Sequence, residues 1–221
     1  MKKELIITED GSHTLYLPEI NEHYHSTKGA IQESLHIYIN SGLRFCNKQT
    51  INILEIGFGT GLNALLTYYE SEIQKKNIFY YAIELFPVDN ELVRKLNYAV
   101  LLNKSNNIFY KIHDSEWNMP IMISEHFSLF KENADILSAK INSKFDIVYF
   151  DAFAPDKQAE VWNISILKNI YNAMNINGIL VTYSVKGDVK RALKRVGFNI
   201  ELLPGPVGKR HILRAIKNNN I

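Results

Sequence analysis

The stretch Ile53-Leu-Glu-Ile-Gly-Phe-Gly-Thr-Gly61 constrains this chain more than any other. Ile51, Ile53, Leu54 and Ile56 form a short apolar, β-branched run, the signature of a buried strand. Gly57, Gly59 and Gly61 then alternate, so the backbone bends tightly and leaves room for a ligand. Leu62 to Tyr69 has helical character. Strand, glycine turn and helix N-terminus together make a nucleotide-binding corner, because the turn has no side chains to block a ligand and the helix end presents free N–H groups.

The spacing Glu55-x-Gly-x-Gly-x-Gly differs from the dinucleotide fingerprint Gly-x-Gly-x-x-Gly, whose third glycine falls one position later. With Glu55 ahead of the turn, the pattern resembles the first motif of class I methyltransferases, which bind S-adenosylmethionine.

Length and composition fit that assignment. A chain of 221 residues, 46% hydrophobic and 22% charged, suits one globular domain. No apolar run approaches a membrane span, and the N-terminus lacks a secretory signal, so a cytoplasmic protein without membrane association is expected. Cys46 is the lone cysteine, which excludes an intramolecular disulfide and a thiolate zinc cage. His23, His25 and His36 have no carboxylates at ligand spacing, so no metal is expected and loop or packing roles are. The net charge of +2 hides an asymmetry. Residues 186–217 are +7 and the remainder −5, which suits a polyanionic partner on one side, or a solvated basic helix face.

In chain order the pattern predicts a hairpin over 4–17, a polar loop from Asn21 to Ala30 and a helix from Ile31 to Leu43. These form an N-terminal extension, residues 1–45, on a core spanning 46–217. Ile78 to Glu84 reads as a buried parallel strand whose terminal Glu84 can accept both hydroxyls of an adenosine ribose. A helix over Val88–Leu101 and a third strand over Ile108–His113 follow, the strand delivering Asp114 to the same edge. Residues 120–143 contain a helical pattern, Ile123, Phe127 and Phe130, with an Asn/Asp-punctuated continuation, and read as a connection or active-site wall. Phe145 to Phe150 is a fourth strand, ending in Asp151-Ala-Phe-Ala-Pro155, where a carboxylate stands beside a stacking ring and a stiff proline. A helix over Glu160–Met174, a strand over Ile179–Ser184, a basic helix over Lys186–Val196 and two last strands, Phe198–Leu202 and His211–Ile216, complete a doubly wound, mostly parallel sheet of seven strands in an α/β fold. The Asn218 to Asn220 tail is the one low-complexity stretch.

Together these stretches resemble the methyltransferase component of the bacterial bifunctional enzyme family that completes 5-methylaminomethyl-2-thiouridine at the tRNA wobble position. The resemblance runs from about Asp10 to Ala215. It is carried by Tyr24-His-Ser-Thr-Lys-Gly-Ala30 with Glu33 and Ser34, Glu55 to Asn63, Glu84-Leu-Phe-Pro87, Asp151 to Pro155 with Trp162, and Gly205, Gly208, Lys209 and Arg210. It implies transfer of a methyl group from S-adenosylmethionine to the aminomethyl nitrogen on C5 of the wobble uridine, with the tRNA anticodon stem-loop as partner. On that basis Asp151 orients the amine and relays its proton, and Phe153 packs on the base. Glu55, Gly57, Phe58, Gly59, Gly61, Asn63, Glu84, Asp114 and Asp151 surround the cofactor, with Asp114 near its adenine. Tyr24, Ser26 and Pro155 close the substrate pocket, and Lys209 and Arg210 meet phosphate. The family continues into a flavin-dependent oxidase, whereas this sequence stops at Ile221, so a separate protein is expected to supply the aminomethyl group. The rival readings are a methyltransferase for a small amine and a non-catalytic cofactor-binding module.

Overall fold

The computed structural model describes residues 2–218; Asn219 and Asn220 of the polar tail lie outside them. Among the described residues eleven strands and seven α-helices follow in order. The N-terminal hairpin is β1 (Glu4–Ile7) and β2 (His13–Leu17), and a short β3 (Glu22–His23) extends it to a three-stranded antiparallel sheet. Helix α1 (Ala30–Ser34) widens into a π-helical turn over Leu35–Asn40. The core then runs β4 (Thr50–Ile56), α2 (Leu62–Gln74), β5 (Asn77–Glu84), α3 (Asn90–Val93), α4 (Tyr98–Leu101), α5 (Asn106–Asp114), β6 (Pro120–Ser124), β7 (Phe127–Asn133), β8 (Phe145–Phe150), α6 (Ile164–Ala173), β9 (Met174–Thr182), α7 (Gly187–Val196), β10 (Phe198–Pro204) and β11 (His211–Lys217).

The main sheet has eight strands in the order β10-β11-β9-β8-β4-β5-β7-β6, where the sequence suggested seven. Strands β7, β5, β4, β8 and β9 are parallel; β6, β10 and β11 run against their neighbours. The extra strand comes from a correction in the middle of the chain. Residues 106–114 form α5, not a strand, because the Ser105 hydroxyl caps the Asn107 N–H at 3.2 Å and Phe109, Ile112 and His113 bury one helical face. Residues 120–133 form the β6–β7 hairpin, not a helix: Phe127, Leu129 and Lys131 are buried at alternate positions while Ser128, Phe130 and Glu132 are only half-buried. The predicted helix over 88–101 is likewise split into α3 and α4. Asn97 sits at the break and ties it to the hairpin, accepting from the His13 N–H at 2.9 Å and donating to the Gly11 carbonyl at 2.9 Å.

Alternation along the strands divides the core. Ile51, Ile53, Tyr80 and Tyr149 pack with α2, α4 and α5, while Leu54, Ile56, Phe150 and Leu180 pack with α6 and α7. Strand order reverses between β5 and β8 on either side of β4, which places the crevice for a ligand at the carboxyl ends of these three strands.

Candidate active site

Backbone bonds gather the three strand ends. The Gly57 N–H donates to the Ile83 carbonyl at 3.0 Å and the Asp151 N–H to the Ile56 carbonyl at 3.0 Å. This packing explains the glycines differently from the sequence reading. Gly57 has φ +89°, and a Cβ there would lie 2.7 Å from the Asp151 carbonyl oxygen. Gly61 has φ +70°, and its Cβ would meet His113 Nε2 at 2.6 Å. The turn makes room first for neighbouring strands and His113, and by staying thin it leaves the cavity beside it open.

That cavity measures about 490 Å³, within the range of small-molecule sites. Tyr24, Phe58, Gly59, Asn63, Glu84, Asp135 and Asp151 are among its lining residues. Glu84 stands at the end of β5 as expected; its two oxygens accept from the Gly59 N–H at 2.9 Å and the Phe86 N–H at 2.8 Å. Phe58 is buried and makes edge contacts with His113 and Trp117.

Asn63, in the first turn of α2, links two acids: its Nδ2 donates to Glu55 at 3.0 Å and to Asp151 at 2.8 Å. Glu55 is fully buried, its second oxygen has no hydrogen-bond partner, and burial raises its carboxyl well above the usual range. Asp151 is pushed up to about 7, first by desolvation; the nearby Tyr38 hydroxyl opposes the shift, Glu33 adds to it, and Asn63 and Lys209 oppose it. The Tyr38 hydroxyl also lies close to this carboxylate without closing a hydrogen bond.

The loop after Asp151 is clamped from both sides. Trp162 Nε1 donates to the Phe153 carbonyl at 2.8 Å, and the Tyr183 hydroxyl to the Ala152 carbonyl at 2.9 Å. Phe153 meets Tyr24 edge-to-face, ring centroids 5.2 Å apart. Both rings and Asp151 also line a second cavity of about 290 Å³, with Ser26, Ala154, Tyr183 and Lys209. Asp151 therefore faces a larger chamber on one side and a smaller one on the other.

Several expected residues stand elsewhere. Asp114 ends α5, pairs with Arg94 at 2.6 Å and does not line the larger cavity; the reason is that 106–114 is a helix, so the third parallel strand is β7. The residue that β7 delivers to the cavity is Asp135, which the sequence reading missed. Its signal was the alternation in Phe127–Asn133 leading to an acid. Pro155 lines neither cavity and serves as the stiff turn, with Ala154 facing the second cavity instead. Lys209 turns inward to Glu33, and Arg210 lines neither cavity. His25 and His113 are both lowered to about 4, chiefly by burial, and hold Thr60: His25 through the side-chain oxygen at 2.7 Å, His113 through the carbonyl at 3.0 Å.

The S-adenosyl-L-methionine-dependent methyltransferase family matches residues 91–218. This chain belongs to that family. Its cofactor is S-adenosyl-L-methionine, and the cavity suits it: the volume is adequate, a carboxylate stands at the end of β5, and the turn is thin. Solved structures agree. MNMC2 from Aquifex aeolicus superposes with a TM-score of 0.75 at 27% identity, over 99% of this chain and 71% of that one. Spermidine synthase from Thermotoga maritima, at 14% identity and a TM-score of 0.54 over 99% of this chain and 72% of that one, shares the fold. Among curated proteins the methyltransferase is similar to the tRNA 5-methylaminomethyl-2-thiouridine biosynthesis bifunctional proteins of Burkholderia multivorans (28% identity, 95% of this chain, 34% of the relative) and Leptospira interrogans (30% identity, 88% and 32%). The chain thus spans about a third of the length of the curated relatives it matches.

Proposed function

We propose that this methyltransferase methylates the aminomethyl nitrogen on C5 of uridine, or 2-thiouridine, at the tRNA wobble position, giving 5-methylaminomethyl-uridine. The observation that carries the reading is Asp151 shared by two adjoining cavities, one sized for the cofactor and one for a planar base. The acceptor is the one for which the relatives are named.

Bound in the larger chamber, the cofactor supplies an electrophilic methyl group. The chain's residues do the rest by positioning. Glu84 receives the ribose hydroxyls, Asp135 takes the adenine side in place of Asp114, and Phe58 covers the ring. The acceptor base enters the smaller chamber between Tyr24 and Phe153, beside Ser26. An alkyl amine arrives in water as an ammonium ion, and only its neutral form has a lone pair to offer. Asp151 accepts one N–H proton and directs the lone pair toward the methyl. A carboxyl near 7 suits this task, being basic enough to take a proton while about half of it is ionised at neutral pH. We place the protein where tRNA is modified, in the cytoplasm; among the described residues no helix is long and apolar enough to cross a membrane.

The test uses labelled cofactor with two tRNA pools. tRNA from cells deleted for this gene is expected to accept label at the wobble nucleoside, and fully modified tRNA is not. Equal labelling of both pools, or label at another nucleoside, would overturn the acceptor.

A further inference from the structure

The charged wall of the second cavity is an ion pair that methyl transfer, as described so far, does not use. Glu33, on α1, is 7% exposed. One of its oxygens accepts from the Ser26 N–H at 2.8 Å, the other from Lys209 Nζ at 2.5 Å. The Lys209 ammonium also sits 4.5 Å from the ring centroid of Tyr183, the residue that clamps the Ala152 carbonyl next to Asp151. Lys209 reaches this place from the loop between β10 and β11. That loop closes on itself through the Gly205 N–H to the Arg210 carbonyl, and His36 Nε2 holds its start at the Pro204 carbonyl, 2.8 Å away. Residues from opposite ends of the chain meet beside Asp151.

We infer that Lys209 and Glu33 are a positioning pair that sets the protonation of Asp151, and with it the pH range in which the acceptor amine is freed of its proton. Two carboxylates facing one partly enclosed cavity disfavour each other's ionisation, and a cation on one of them relieves the other. The Tyr38 hydroxyl and the Asn63 amide also lower Asp151, but as neutral groups, and Lys3, which lines the larger chamber, donates to the Pro87 carbonyl at 3.4 Å. Tyr38 and Tyr183 are raised far above their usual range and stay neutral. His25 is lowered to about 4 and stays neutral at physiological pH. Glu55, beneath Asn63, is pushed toward its neutral form by burial. Glu84, across the larger chamber, is a carboxylate already held by two backbone N–H groups. Lys209 is the cation lining the smaller chamber, and its half-buried side chain is engaged there instead of meeting phosphate.

The consequence for catalysis rests on the proposed function, so the primary measurement reads Asp151 directly. Carbon-13 labelling of aspartate carboxyls in the full chain, with the Asp151 signal assigned by its loss in Asp151→Asn, gives a titration midpoint without any acceptor. Lys209→Met is expected to raise that midpoint by about one pH unit. Glu33→Gln is expected to lower it, and the double variant to return it to within a few tenths of wild type. A midpoint that stays put in folded Lys209→Met overturns the pair's role; if Lys209→Met does not fold, an unmoved midpoint in Glu33→Gln does so. Lys209→Arg, which keeps the charge, is expected to keep the midpoint. In turnover, the acid limb of kcat/KM is expected to follow the midpoint. A higher KM for tRNA with weaker salt dependence and a stationary limb would make Lys209 a phosphate contact and overturn the inference. A shifted midpoint in a protein that methylates no tRNA supports the pair and refutes the acceptor.

Discussion

Asp151 carries opposite demands of stability and function on one carboxyl. Its folded-state value of about 7 lies above the ordinary 3.8, so below pH 4 the group costs nothing. Between about 4 and 7 the unfolded chain ionises first and the folded state loses stability as pH rises. Asp151→Asn removes this titration. The variant is therefore expected to gain more stability over wild type at pH 8 than at pH 5, by about 1–2 kcal/mol once partial exposure is allowed for, in parallel denaturant titrations. The same variant is expected to bind cofactor normally yet lose about 10²–10⁴ in transfer rate, and wild-type kcat/KM is expected to climb with pH up to about 7. Undiminished turnover would remove Asp151 from proton handling. Gly61 offers a second test. An alanine there must hold φ near +70° and push against His113 Nε2, so Gly61→Ala is expected to cost about 2 kcal/mol or more by thermal melting, and less in a His113→Ala background. Equal costs in both backgrounds would mean that the imidazole does not dictate the glycine. Asn63, Glu84 and Asp151, which line the larger cavity, could be read from sequence because each lies within a few residues of a glycine turn or a proline; Glu55, expected at the cofactor, is instead buried behind Asn63 and lines neither cavity. The partner of Gly61 could not be read, since His113 arrives from a helix some fifty positions away.

Elements separate cleanly into those whose pattern is local and those whose pattern is ambiguous. Strands β4, β5 and β8 were legible because continuous apolar runs stop at a glycine, an acid and an Asp-x-Phe-Ala-Pro stretch. The segment from 88 to 143 was not. Ile108-Phe-Tyr-Lys-Ile-His113 suits a strand by composition, and the Ser105 cap and a helical burial stripe decided for α5. The same competition hid β6 and β7, whose lysine at a buried position breaks the apolar alternation. Lys131 is tolerated there because its Nζ donates to the His113 carbonyl at 2.6 Å and lies 4.8 Å from the Trp117 ring centroid. The swap moves the third parallel strand, and with it the acid proposed to meet the adenine. Asp135→Asn is accordingly expected to weaken cofactor binding about tenfold by calorimetry, whereas Asp114→Asn, which loses an exposed ion pair with Arg94, is expected to leave it unchanged. The reverse pattern would return the adenine to the end of α5.

For the whole molecule, the sequence overstates how much of the basic C-terminal region is available to a polyanion. Of its nine cations, Lys186 pairs with Asp156, Arg191 with Asp188, Lys209 with Glu33 and Arg214 with Glu201, while Lys217 donates to the Tyr171 and Met174 carbonyls. Among the described residues, Lys190, Lys194 and Arg195 on α7 and Arg210 in the loop between β10 and β11 form no ion pair. The net +7 of the segment thus reduces to a few cations, and each phosphate they meet releases counterions in proportion. Replacing Lys190, Lys194 and Arg195 together by alanine is expected to flatten the plot of log tRNA affinity against log salt by about two units, near 0.7–0.9 per lost contact, with transfer to saturating tRNA retained. Lys186→Ala and Arg214→Ala, whose cations are already engaged, are expected to leave the slope as it is. An unchanged slope in the triple variant would mean that tRNA approaches over a different face, and that α7 carries its charge for solvation alone.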